Sequence, residues 1–269
     1  MAGSRWKRRV AIVVAVLVVV AGVAVAVVVW GGSVGKQVSV SEAGKRLGSA
    51  TTLAPEAAVL RPPQGVYLYR GSGTDKLSTP PKEQAEGPDM PATVTHRSDG
   101  CWDFRIDYHS NHWQVWNYCP RNGGLDEVGG TTYQKWDFGV FVSETTTNFT
   151  CDSSVTIRAD QKPGDEWTQT CRGSGGPDGT TSMTTGPYRF IGPEELTIGG
   201  TKVAALKYHR QRTMSGGQRG TEQSDVWFAA ADGMPLRNIR HLQVTTDTIV
   251  GEVTYNEDAN FELTSLTPK

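Results

Sequence analysis

Residues 101–119 read CWDFRIDYHSNHWQVWNYC, and the reading of this stretch decides the fold. If Cys101 faces Cys119, antiparallel register sets Trp102 opposite Tyr118, Phe104 opposite Trp116, Ile106 opposite Gln114 and Tyr108 opposite His112. The large apolar groups other than Trp113 and Val115 then share one face, and Cys101, Asp103, Arg105 and Asp107 share the other. A slip of one residue scrambles this division. The stretch therefore predicts a β-hairpin that turns at His109, Ser110 and Asn111 and is clipped by a Cys101–Cys119 disulfide.

The same idea recurs downstream in residues 151–171, CDSSVTIRADQKPGDEWTQTC. Pairing Cys151 with Cys171 sets Val155 opposite Trp167 and places Lys162, Pro163 and Gly164 at the bend. Closing a loop of this size restricts the unfolded chain by about 3 kcal/mol. Four cysteines allow three pairings, of which this local one suits both hairpins. Zinc is the rival use of four cysteines, but no C-x-x-C knuckle occurs, and no metal is expected.

Between and around these hairpins the chain is punctuated by turns. Residues 120–130 and 172–187 are glycine-rich and read as connections, whereas residues 136–142 alternate, with Trp136, Phe138, Val140 and Val142 on one side, and read as a core-facing strand. Beyond residue 194, short runs separated by Gly199-Gly200, Gly216-Gly217 and Asp232-Gly233 have the length of successive antiparallel strands. Upstream, residues 65–70 alternate and a proline-rich loop follows. No amphipathic helical run longer than about ten residues occurs after residue 30. With 31 glycines, eight tryptophans and eight tyrosines, residues 65–269 predict a mainly β domain, one large, curved antiparallel meander sheet or half-open barrel.

The N-terminal part assigns a compartment. Residues 10–30, VAIVVAVLVVVAGVAVAVVVW, run without a polar side chain, and a helix of that length is about 31 Å long, enough for a bilayer core. Arg5, Lys7, Arg8 and Arg9 precede it and favour the cytoplasmic side, so the run from Val10 to Trp30 predicts a single N-terminal transmembrane helix with the C-terminal domain extracytoplasmic. A second reading is a secretory leader cut after Ala24-Val25-Ala26. The apolar run continues past that point to Trp30, which favours an anchor. Residues 31–64 then read as a flexible tether, with a turn or two of helix at residues 40–47. The nine-residue tail is too short to fold. Of 27 basic and 28 acidic residues, setting aside the four basic ones before the run leaves 23 against 28, so the outer part is mildly acidic and no nucleic-acid partner is expected.

In the C-terminal third, Val226-Trp227-Phe228 is followed by Asp232-Gly233-Met234-Pro235-Leu236-Arg237 and Gly251-Glu252-Val253-Thr254-Tyr255. This phrase resembles the tail of envelope carrier proteins of the LolA and LppX type. The resemblance covers about 60 residues and implies a strongly curved sheet whose concave face holds acyl chains. Those carriers close that face with helices, and the present chain has no such helices to offer.

No catalytic signature emerges. Asp107, His109 and His112 flank one turn, but residues three apart on a strand point to opposite faces, so they read as solvated turn residues. His96, His209 and His241 stand alone in alternating segments. The acidic pairs Glu194-Glu195 and Asp165-Glu166 lack a partner placed for acid–base work. The chain is therefore expected to be non-catalytic and free of cofactors, an envelope domain that binds a lipid or other apolar ligand. Trp102, Phe104, Trp116, Tyr118, Trp136, Phe138 and Trp227 are its candidate ligand surface. The alternatives are a structural or protein-interaction module in which those aromatics fill a solid core, and an envelope hydrolase.

Overall fold

A computed structural model describes residues 32–47, 60–152, 154–176, 179–248 and 251–269. The apolar run ending at Trp30 lies outside the described residues. Among those described, no helix is long and apolar enough to cross a membrane.

Among the described residues the alternating segments form fourteen strands. They are β1 (Gly65–Ser78), β2 (Pro81–Glu86), β3 (Asp89–His96), β4 (Trp102–His109), β5 (His112–Arg121), β6 (Gly124–Asp137) and β7 (Val142–Asp152), then β8 (Val155–Ile157), β9 (Glu166–Ser174), β10 (Ser182–Ile198), β11 (Thr201–Gly216), β12 (Gln218–Ala229), β13 (Pro235–Thr248) and β14 (Gly251–Leu263). Each pairs antiparallel with its neighbour in the chain, apart from short β2, which extends β3 along β1, and β8, which pairs only with β6.

The expectation of a meander holds, and that of a half-open barrel is corrected. β1 and β14 pair from Tyr69↔Leu263 to Leu77↔Tyr255, so the sheet closes into a 12-strand antiparallel barrel. Closure pairs the last strand with the first and supplies the second wall that covering helices would otherwise provide. Both predicted disulfides are present, Cys101–Cys119 and Cys151–Cys171.

The hairpin of residues 101–119 has the predicted register from Trp102↔Tyr118 to Ile106↔Gln114. It then departs: a bulge after Asp107 sets His109, not Tyr108, opposite His112, and the turn shrinks to Ser110 and Asn111. Val155 does not face Trp167 as a strand partner. The β7–β9 ladder ends at Asp152↔Thr170, and β8 leaves to pair with β6. Residues 120–130, expected as a connection, are mostly strand, and only Asn122 and Gly123 form the turn between β5 and β6. Residues 172–187 likewise hold the end of β9 and the start of β10 within the same sheet.

The predicted strand over residues 136–142 is broken by a turn: Trp136 and Asp137 end β6 with Trp136 facing inward as expected, and Val142 begins β7. Gly139 takes a φ of 79°, the chain reverses between Phe138 and Phe141, and Val140, Phe141 and Val142 stand exposed. Residues 32–47, read as tether, lie along the barrel. Ser33 binds Asp137, Lys36 exchanges hydrogen bonds with Ser110, and helix α1 (Val40–Leu47) packs on β1 and β3 with Ala43 buried.

Inward positions stack in three layers along the barrel axis. The closed end is filled by Tyr67, Tyr69, Met90, Trp102, Phe104, Tyr118, Tyr188, Tyr208, Phe228 and Phe261. A belt of buried charged groups follows, and the third layer is an apolar rim of Trp136, Phe138, Val244 and Tyr255 with Leu77, Met214 and Leu242 packed against it.

Candidate functional site: an interior cavity with a charged floor

Above the aromatic fill, the barrel encloses a cavity of about 590 Å³. It opens among the turns at the rim end, where Thr79, Pro80, Phe141, Val142 and Thr248 line it. Its walls are small: Thr132, Thr145, Thr147, Thr184 and Thr246 point inward, and at Gly130 a Cβ would lie 2.2 Å from the carbonyl of Val115 on the neighbouring strand. Threonine and glycine at inward positions leave a twelve-strand barrel unfilled.

The floor consists of three arginines and three glutamates. Arg210 donates to Ser224 (3.1 Å), Glu222 (2.6 Å) and Glu127 (3.4 Å). Arg212 donates to Gln169 (2.7 Å) and Glu127 (3.4 Å), and its buried Nε has no hydrogen-bond partner among the described residues. Arg240 donates to Gln114 (2.7 Å) and lies 3.2 Å from Glu257 and 3.5 Å from Glu222. Burial alone would protonate Glu222, but the charges of Arg210, Arg240 and Arg212 outweigh it and hold its pKa at about 2. Burial and the neighbouring Arg210 together lower the pKa of Arg212.

These six side chains escaped the sequence reading because charge on a strand is ordinarily solvated. A signal was nevertheless present. Arg210 and Arg212 alternate in phase with Tyr208 and Met214, Glu222 with Val226 and Phe228, and Arg240 with Leu236 and Val244. Charges that share the period of an apolar face lie on the inside.

Behind the cavity wall lies a second polar cluster, sealed from solvent. The bulge that displaced Tyr108 turns His109 inward, and His109 and His112 both bind Asp75 Oδ2, at 3.1 and 3.0 Å. The Tyr255 hydroxyl lies 2.6 Å from Asp75 Oδ1 and 3.0 Å from a Glu257 oxygen, sharing its one proton between them, which ties this cluster to the floor. His109 and His112 are thus buried, contrary to the expectation of solvated turn residues. Asp107 is buried too, on the opposite face, where Arg105 and Arg46 of α1 pair with it. Burial would neutralise Asp75 and His112. Their mutual attraction dominates, so Asp75 is held well below the usual carboxylate range and His112 is raised to about 10. Glu86, buried beside them, is pushed up to about 8 and is protonated at neutral pH.

Asp75, His109 and His112 hold their ligand atoms within 4.8 Å of one another, as a cation would require. Their distances are those of hydrogen bonds from both rings to one shared oxygen, while His112 Nε2 is buried with no hydrogen-bond partner among the described residues. Glu127 also lies near Cys151 and Cys171, but those sulfurs are joined and offer no thiolate.

Of the seven predicted ligand residues, Trp116, Trp136 and Phe138 line the cavity. Trp102, Phe104 and Tyr118 are packed into the filled end. Trp227 is on the outer face, where Lys207 and Arg237 cover its ring and its indole N–H binds Glu194 at 2.7 Å. Its outward direction follows from alternation with Val226 and Phe228. His209 and His241 are outer-face partners of Asp225 and Asp258.

No family model matches the chain, and no curated protein matches it by sequence. Among solved structures, it is similar to the crystal structure of the hypothetical lipoprotein YmcC from Escherichia coli (K12), at 14% identity and a TM-score of 0.34, over 86% of this chain and 100% of that one.

A general acid needs a pKa near the working pH. Glu222 is held ionised by its arginines, and Glu86, whose pKa does lie in that range, does not line the cavity.

Proposed function

We propose that this barrel is an extracytoplasmic, membrane-anchored binding protein for an amphiphile, which it holds with the polar head on the arginine–glutamate floor and the apolar part against the rim. The observation that carries the reading is the polarity of the cavity. Its depth offers the side chains of Arg210, Arg212 and Arg240, and its entrance offers Trp136, Phe138, Met214, Leu242 and Val244. Ligand pockets commonly combine an apolar lining with a few convergent polar groups. The volume accommodates on the order of twenty water-sized groups. This suits one chain and a head better than a whole two-chain lipid. A solid-core scaffold fits the closed half alone.

The test is mass analysis of the amphiphiles that co-purify with the full chain from its own membranes, set against a Thr147→Trp variant. Thr147 points into the cavity, so the indole fills space that is empty. The wild-type protein should carry an amphiphile near one per chain and the variant should lose it, with folding stability changed by no more than about 1 kcal/mol because the site has room. Equal amphiphile content in both proteins, or none in either above a control membrane protein, overturns the reading.

A further inference from the structure

The place where the N-terminal segment meets the barrel is the mouth of the cavity. Gly32 lies against Asp137, and Ser33 donates its N–H (3.0 Å) and its hydroxyl (2.8 Å) to the Asp137 carboxylate. Asp137 ends β6. The next residues form the turn on which Val140, Phe141 and Val142 are 60%, 47% and 52% exposed, and Phe141 and Val142 also line the cavity. Trp30, the last residue of the apolar run, precedes Gly32 by only two positions in the chain.

We infer that the barrel stands mouth-down on the bilayer that residues 10–30 enter, with Val140, Phe141 and Val142 inserted among the lipids; this rests on the reading of that run as a membrane anchor. The short reach decides the orientation. From Thr201 to Gly216, β11 carries the chain from the closed end to the mouth, about 40 Å along the axis at an ordinary strand rise and tilt. Were the closed end to face the membrane, the entry point would stand several times farther away than two residues can span. The surfaces agree. Turns at the closed end present Arg97, Asp99, Arg121 and Lys202, whereas the turn beside the entry point presents three consecutive apolar side chains. Exposed apolar groups at one spot mark an interaction surface.

Cavity polarity and leaflet polarity then match. A lipid rising from the bilayer leads with its head, which meets the arginine–glutamate floor, while its chain stays in the rim or trails into the membrane. No flip of the lipid is required.

The experiment uses the full chain reconstituted into phosphatidylcholine vesicles, with a nitroxide on Val140→Cys, on Phe141→Cys or, as the closed-end control, on Lys202→Cys. The native cysteines are all in disulfides, so the added thiol takes the label. All three positions are exposed, and labelling them leaves the core intact. The expected result is a several-fold higher ratio of oxygen to aqueous nickel-chelate collision at 140 and 141 than at 202. Equal ratios in a chain that floats with the vesicles overturn the orientation and leave the anchor standing. A chain that does not float overturns the anchor and the orientation together, and leaves ligand binding in the cavity to be judged by its own assay.

Discussion

At the closed end of the barrel, inward positions carry Tyr67, Tyr69, Trp102, Phe104, Tyr188 and Tyr208, and the interior is solid. At the mouth, positions with the same inward alternation carry Thr132, Thr147, Thr246 and Gly130, and about 590 Å³ stays open. Most of the strands run through both halves, so the two ends differ chiefly in the volume of their inward side chains. At the closed end paired aromatics such as Tyr188 with Tyr208 and Trp102 with Tyr118 fill the interior together with Met90, Ile106 and Leu125. Stability and binding are thereby separated along a single sheet: one end supplies the core, and the other is released from packing so that it can hold something else.

The sharpest way to break this division is to make the same substitution on each side of it. Phe104 packs edge-on against Tyr69 and beside Trp116 and is 2% exposed, so Phe104→Ala should cost about 3–5 kcal/mol by denaturant unfolding with the disulfides intact. Phe138 is equally buried but sits where a void already exists, so Phe138→Ala should lose the transfer term without a new cavity and cost about 2 kcal/mol. Equal losses at the two sites would mean that the rim is part of the core.

The charged belt lies between the halves, and a smaller-scale test addresses what it contributes. Glu222 sits between Arg210 and Arg240, and Glu222→Gln leaves both arginines short of a counter-charge at a cost of about 3 kcal/mol at pH 7. The pH dependence carries the sign. The pKa of Glu222 falls from 4.5 to about 2 on folding, so its contribution is present above about pH 4.5 and is lost as pH falls toward 2. Wild-type stability should therefore drop across that window more steeply than that of the variant. Parallel curves would place the pairing energy elsewhere in the belt.

How much of this was legible in the sequence depends on where alternation stays regular. Cys101 to Ile106 against Gln114 to Cys119 could be read residue by residue, because cysteines and aromatics marked both faces. The reading failed at His109 and His112, where one extra residue at the bulge brings two rings onto Asp75, a partner more than thirty positions away that no local pattern announces. It failed again at Gly139, where a positive φ folds an alternating apolar run into a turn and puts Val140 and Val142 outside. Closure was not legible because it depends on the total curvature of all the strands, which no single segment encodes. The charged belt was legible only in phase: Arg210 and Glu222 look like surface residues by type and like core residues by position.

The smallest expected effect concerns the outside of the wall, and it tests whether the closed half owes its stability to its interior alone. Helix α1 is eight residues long, too short to be stable by itself in water. It is held by a reciprocal cap: Ser39 Oγ accepts from the Glu42 N–H at 3.2 Å, and the Glu42 carboxylate accepts from the Ser39 N–H at 2.8 Å. Removing the hydroxyl by Ser39→Ala should weaken the helix by about 1 kcal/mol and speed hydrogen exchange in Val40–Leu47 about fivefold. The denaturation midpoint of the barrel should not move, since the helix covers β1 and β3 from outside and contributes one buried alanine to the fold. A midpoint that falls by the full amount would make α1 part of the cooperative unit. The Arg46–Asp107 pair would then be as much a foundation of the closed half as the aromatics within it.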